Sequence, residues 1–199
     1  VNEYTVSTGF DLTSTVTFID SFGVTSTDSG EEDKPTGLTF NTDGTKMFIC
    51  GWRRDDVAEY TLTTGFDVST ASFVDSLSVS AQDGDTRDVK FNTDGTVMFV
   101  VGRGGGGKSS VYRYTLTTGF DVSTATFEDS YSVAEQDTKA TSIEFNTDGT
   151  KMFVLGALNK GVNEYTLNAV FDFSPASTTV PVVHGLAVGD TVRITGAVP

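Results

Sequence analysis

One cysteine and one histidine occur in 199 residues. A single cysteine excludes an internal disulfide, and Cys50, set in an apolar run, reads as a small buried residue. One Cys and one His do not make a zinc site. Any Ser–His–Asp arrangement would have to use His184, which stands beside a glycine near the end of the chain and reads as a structural or surface histidine. Basic residues are also scarce. Thirteen Lys and Arg face 27 Asp and Glu, giving a net charge of −14. That balance favours solubility and disfavours a nucleic-acid or anionic-membrane partner. No apolar run approaches a membrane span, so membrane insertion is not expected, and helical periodicity is missing between the apolar runs.

The sequence is instead rich in repetition. Phe-Asn-Thr-Asp-Gly-Thr occurs at Phe40 to Thr45, Phe91 to Thr96 and Phe145 to Thr150, each time running into Met-Phe. The flanking residues alternate in polarity, as Leu38-Thr39-Phe40 does, so each copy predicts strand, tight turn and strand. Asn and Asp cap turn amides and Gly takes the positive φ that closes the turn. Asp43, Asp94 and Asp148 are therefore turn formers. An EF-hand reading is rejected, because Lys46 and apolar residues stand where further oxygen ligands are needed.

A second stretch, Tyr60 to Asp67, recurs identically at Tyr114 to Asp121, closely at Tyr4 to Asp11 and with drift at Tyr165 to Asp172. Alternating runs follow at Phe18 to Phe22, Phe73 to Leu77 and Phe127 to Tyr131. Each period thus holds four short strands. Antiparallel four-stranded units in repeats of about 50–54 residues predict an all-β chain of β-propeller-type blades. Phe40, Phe48, Tyr60, Phe66 and Phe73 recur at matched positions and are expected in the core.

The stretch Phe-Asn-Thr-Asp-Gly-Thr-Lys-Met-Phe-Val resembles the repeat signature of bacterial and phage β-propeller proteins, the YVTN and NHL-like group. Thr42 stands where that signature has Pro. The resemblance covers residues 1 to about 173 and implies the fold, while saying little about activity. The expected organisation is a repeat domain over 1–173, with a partial blade at 1–29, blades at about 33–80 and 85–134, and a partial blade at 138–168. A short β tail module at 174–199 reads as truncated. Its His184-to-Gly196 stretch resembles a module of phage tail and virion-surface proteins. The chain begins within a repeat, which suggests a processed product or part of a longer protein whose missing sequence completes the ring.

Several motifs invite chemistry. Gly102 to Ser109 matches the phosphate-binding pattern G-x-x-x-x-G-K-[ST], but a helix must follow the lysine. Val111 to Leu116 is a strand, so a flexible glycine-rich insertion is expected. Asp20, Asp75 and Asp129 each precede a serine in a fourth strand, and their repetition argues for structure. Paired carboxylates are not excluded by counting. Calcium between residues 28–33 and 83–88 lacks a full ligand pattern, so no metal and no cofactor is predicted.

The repeats disagree mainly in two sets of loops that an up-and-down blade brings to one face. Trp52 with Arg53 and Arg54 is the leading contact anchor. Arg103, Lys108 and the Asn159-Lys160 step supply further polar and basic loop positions. These features predict a non-enzymatic structural or host-attachment component of a virion or extracellular assembly, using the varied loops to contact copies of itself, other proteins or surface glycan. The alternatives are a lectin-like, carbohydrate-binding propeller and a propeller hydrolase acting on glycans.

Overall fold

The computed structural model describes residues 1–24, 34–104, 106, 108–173 and the backbone of 182–183. β1 (Asn2–Val6) and β2 (Val16–Ser21) pair as an antiparallel ladder. The first four-stranded sheet comprises β3 (Pro35–Phe40), β4 (Lys46–Gly51), β5 (Asp56–Leu62) and β6 (Ala71–Ser78). The second comprises β7 (Thr86–Phe91), β8 (Val97–Gly102), β9 (Ser110–Leu116) and β10 (Ala125–Ser132). The third comprises β11 (Ala140–Phe145), β12 (Lys151–Gly156), β13 (Gly161–Thr166) and β14 (Val182–Val183). Strands pair in chain order and antiparallel throughout. The protein is all-β and built of propeller blades.

The turn chemistry makes these hairpins. Asp43 Oδ1 accepts the Thr45 amide at 3.0 Å and its hydroxyl at 2.6 Å, and Asn41 Oδ1 accepts the Lys46 amide at 2.9 Å. Gly44 sits at φ 72°. Asp94 and Asp148 make the same bonds to Thr96 and Thr150. In the next connection Phe66 adopts φ 63°, a costly conformation for an aromatic residue. That geometry lays its ring on Gly44, where a Cβ would overlap it. Asp67 then caps a short 3-10 turn by accepting the Ser69 amide.

The core lies between sheets. Phe48, Cys50 and Val57 of the first sheet pack with Val89, Met98, Val100 and Tyr114 of the second. Phe99, Val101 and Val111 of the second pack with Ile143, Met152 and Val154 of the third. The Phe48–Phe91 and Phe99–Phe145 ring centroids are each 4.4 Å apart. Each fully buried ring contributes on the order of 1.5–3 kcal/mol. Val24, Met47, Ile49 and Tyr60 join the N-terminal ladder to the first sheet.

Two expected core residues are corrected. Phe66 is 53% and Phe73 39% exposed. Phe66 is turned outward by its positive φ and covers a turn, while Phe73 lies on the outermost strand beside Tyr60. The partial last blade was expected to have its fourth strand degraded or replaced, and Val182–Val183, from the segment read as the tail, pairs with β13 in that place. The acidic loop 25–33 and the remainder of the tail, His184 included, lie outside the described residues. Among the described residues no helix is long and apolar enough to cross a membrane.

Candidate functional site at the first sheet junction

The loops that vary between repeats share a hidden frame. Asp83, buried after β6, accepts the Asp85 amide at 2.6 Å and the Gly104 amide at 3.0 Å. Asp137 does the same for Lys139 at 2.6 Å and Asn159 at 2.7 Å. The preceding glutamines accept the hydroxyls of Tyr114 and Tyr165, both at 3.2 Å. Gly102 and Gly156 press on these carboxylates, and a Cβ at either would overlap them. Burial raises the Asp83 pKa above the usual carboxylate range, against the pull of the two amides. Burial, then the Asp83 charge, pushes Tyr112 up to about 12.

The first strands β3, β7 and β11 lie side by side. Each carries a bulge at the same place, between Pro35 and Gly37, Thr86 and Asp88, and Ala140 and Ser142. A bulge leaves one residue unpaired and re-aims its side chain. The bulged residues are Thr36, Arg87 and Thr141. The Arg87 guanidinium pairs with Asp85 and lies 5.8 Å from the centre of the Trp52 ring. Its Nε is buried and makes no hydrogen bond. Trp52, Gly84, Asp85, Arg87 and Gly104 line a cavity of about 510 Å³ between the first and second sheets. Asp55 closes the junction by accepting the Thr86 amide at 3.2 Å.

Below the bulge, Asp88 reaches the third sheet, accepting the Ser142 hydroxyl at 2.7 Å and the Ile143 amide at 3.2 Å. Gly37, at the matching position of β3, passes so close to Asp88 that a Cβ would lie 2.8 Å from its Cα. Lys90 and Glu144 pair at 3.7 Å one step further. A smaller cavity of about 260 Å³ opens among the opposite turns. Phe40, Phe91 and Phe145, with Asn92 and Asn146, line it, and their repetition marks it as a product of the blade pattern.

Of the residues singled out in the sequence, Trp52 lines the larger cavity and is 42% exposed. Arg53 and Arg54 are exposed in the same loop. Arg103 is a tie between sheets: its amide donates to the Asp85 carbonyl at 3.1 Å and its Nε to the Ala140 carbonyl at 3.2 Å. Lys108 and Lys160 are exposed on the loops of the second and third sheets. The glycine-rich stretch runs from β8 into β9, a strand, which removes the helix a phosphate loop requires. Asp129 pairs with Arg113 at 2.9 Å, a structural use. Asp85 and Arg87 were missed. Comparing first strands across repeats would have found Arg87 opposite Thr36 and Thr141.

Among the described residues no group of three or more His, Cys, Asp or Glu is arranged to hold a metal ion. No protein-family model and no curated protein matches the chain. Solved structures do. A candidate 6-phosphogluconolactonase of Bacteroides uniformis is 14% identical with a TM-score of 0.53, the match covering 87% of this chain and 48% of that one. A candidate 6-phosphogluconolactonase of Bacteroides fragilis is 12% identical with a TM-score of 0.53, over 67% and 35%. A functionally unknown protein of Desulfotomaculum acetoxidans is 13% identical with a TM-score of 0.56, over 83% and 47%. This chain thus spans less than half the length of these structures.

The sequence-based expectation of a non-enzymatic virion or attachment component is corrected here. Two structures that share the fold are named as candidate 6-phosphogluconolactonases, and no comparison supports a virion link. That expectation rested on the near-identical repeats, the Thr, Ser, Gly and Asp richness, the lack of a catalytic constellation and the resemblance of the tail, which lies outside the described residues apart from the backbone of 182–183. At this level of identity the likeness establishes the fold, and the chain is a β-propeller protein.

Proposed function

We propose that this chain carries the active site of a propeller hydrolase that opens sugar-derived esters, lactones first among them. One observation carries this reading: Trp52, Asp85 and Arg87 meet in the cavity of about 510 Å³ at the first sheet junction. The second junction has Arg103, Lys139 and Thr141 at the matching positions. A catalytic constellation is made once, whereas structural motifs recur in every blade. The lactonase names of the two Bacteroides structures support the same reaction class.

The chemistry follows from the three side chains. Water adds to the lactone carbonyl and gives its proton to the Asp85 carboxylate, which pairs with the Arg87 guanidinium. Negative charge develops on the carbonyl oxygen, where a guanidinium N–H stabilises it. The ring C–O bond then breaks, and the departing oxygen takes the proton back, yielding a hydroxy acid. Trp52 offers a flat apolar wall to the carbon face of a sugar ring. Glycoside hydrolysis would need two carboxyl groups astride the bond. The nearby Asp83 and Asp55 are occupied with backbone amides, so a reaction needing one base fits better.

The purified chain is assayed with δ-lactones of sugar acids, following acid release with a pH indicator, and with aryl glycosides, following the released phenol. Lactone turnover above the spontaneous rate, lost in Asp85→Asn, is expected. Turnover that survives Asp85→Asn, or no turnover at all, defeats this reading.

A further inference from the structure

Gly84, Gly102 and Gly104 stand at the first sheet junction, and the fold demands the last two. Gly102 presses on Asp83, where a Cβ would overlap the carboxylate. Gly104 sits at φ 53°, with the Lys108 carbonyl oxygen 2.8 Å from the place of its Cβ. Gly84 has neither reason. Its φ is not positive, and among the described residues a Cβ there would meet only Asp55 Oδ2, at 4.0 Å. The second junction shows that the frame accepts a side chain at this point. Thr138 stands there between Asp137 and Lys139. Asp137 accepts the Lys139 amide at 2.6 Å, as Asp83 accepts the Asp85 amide at 2.6 Å. Glycine loses more conformational freedom on folding than any other residue, so a glycine that no contact requires lowers stability without a structural return.

What the missing side chain leaves is room on the cavity wall. Gly84 lines the cavity of about 510 Å³ together with Trp52, Asp85 and Arg87. That volume is within the range of small-molecule pockets. Gly84 directly precedes Asp85, so the room adjoins the carboxylate assigned to the reaction. Asp55 accepts the Thr86 amide through Oδ1 at 3.2 Å, and its Oδ2 borders the room. A carboxylate accepts several hydrogen bonds over its two oxygens. A hydroxyl entering there meets an acceptor, whereas a hydrocarbon branch would cover a charge.

We propose that Gly84 sets the substrate preference of this site. The room it leaves receives the hydroxylated ring substituents of a sugar-acid lactone, and a side chain at this position turns the site toward unsubstituted rings. The proposal rests on the reading of the cavity as a hydrolase site, and its test separates the two.

Gly84→Thr, which copies the second junction, and the smaller Gly84→Ala are compared with the wild type and with Thr138→Gly. Turnover of δ-gluconolactone and of δ-valerolactone, a ring without substituents, gives a ratio of kcat/KM values. In Gly84→Thr that ratio falls about tenfold or more, through KM for the substituted lactone, as crowding of a pocket predicts. Gly84→Ala falls between, and Thr138→Gly keeps the wild-type ratio. An unchanged ratio in Gly84→Thr overturns the role of Gly84 and leaves the hydrolase reading in place. Binding is followed apart from turnover. Trp52 is the one tryptophan of the chain, so its fluorescence reports on the cavity. The probe is gluconolactam, which has the same substituents and is not hydrolysed. In a chain that turns over no lactone, saturable quenching that weakens about tenfold in Gly84→Thr defeats the hydrolase reading and upholds the role of Gly84. Without turnover, quenching that is absent or unaffected by Gly84→Thr overturns both. Far-ultraviolet dichroism and urea midpoints close to wild type accompany each variant.

Discussion

The first and second sheet junctions are made from the same parts and diverge at a few side chains. Both have a buried aspartate holding two loop amides, a glycine pressed against it, and a loop residue that accepts the first amide of the next blade. That residue is Asp55 for Thr86 and Ser109 for Ala140. Where the first junction has Trp52, Asp85 and Arg87, the second has Arg103, Lys139 and Thr141 at the matching positions. The shared parts hold the loops; these differences decide what the loops hold. At the first junction they make a cavity walled by an indole and a carboxylate–guanidinium pair. At the second, Arg103 spends its guanidinium on a carbonyl of the neighbouring sheet. Repetition supplies the scaffold, and departure from repetition supplies the lining of the cavity.

The largest expected effect breaks the two junctions apart. Asp85→Asn keeps the backbone amide that Asp83 holds and removes the base, so lactone turnover falls by roughly 10²–10⁴-fold. Lys139→Ala at the matching position leaves turnover within about twofold, because it touches neither cavity nor substrate. Denaturant midpoints of both variants stay close to wild type. Comparable losses of turnover in the two would dissolve the distinction between the junctions.

Local chemistry was legible and non-local chemistry was not. Asp43 and Gly44 announced their turn because the hydrogen bonds that matter lie within two residues. Tyr60 announced its burial because its strand alternates. Phe66 did not, since a positive φ is invisible in an apolar pattern and turns the ring onto Gly44. The Gln82-Asp83 step looked like drift, because the loops around it differ in length and composition. Its match to Gln136-Asp137 appears only when both carboxylates are seen to hold two amides. Arg87 was hidden by its bulge, which breaks the alternation used to tell inward from outward positions. Trp52 stood out as an exposed aromatic and suggested a protein contact. The Asp85–Arg87 pair that lines the cavity with it comes from the next blade.

Next in size are the glycines, where the junctions should behave alike. Gly102→Ala and Gly156→Ala each force a methyl group into a buried carboxylate and should cost about 1–3 kcal/mol, as overpacking does. Urea titrations read the pair directly. A gap well above 1 kcal/mol between them would mean that the two frames are not equivalent. Smaller again is Trp52→Ala. It removes a wall and not the base, so KM for lactones rises about tenfold with kcat nearly unchanged. Arg103→Ala leaves both parameters alone and lowers stability by about 1 kcal/mol through its lost bond to Ala140. A fall in kcat alone for Trp52→Ala would place the indole in the chemical step.

The smallest effect separates the two ends of a blade by pH. At the turn end, the Thr45, Thr96 and Thr150 hydroxyls, and then their amides, hold Asp43, Asp94 and Asp148 below the usual carboxylate range. A carboxyl lowered on folding adds stability above its unfolded pKa, and that stability is lost as pH falls through the folded value. At the loop end Asp83 has the opposite sign. Its folded pKa is raised by burial, so the folded state takes up a proton first as pH falls toward the ordinary aspartate range, and stability rises over that interval. The turn carboxylates are exposed and individually weak, so their sum is read best as a change of slope. Thermal midpoints from pH 6 to pH 2.5 should hold or rise slightly in the Asp83 interval and then fall below the usual carboxylate pKa. Replacing Asp43, Asp94 and Asp148 together with Asn should flatten the fall and leave the Asp83 interval in place. An acid limb unchanged in that triple variant would place acid sensitivity elsewhere in the chain, and the turns would then hold by geometry without help from their charge.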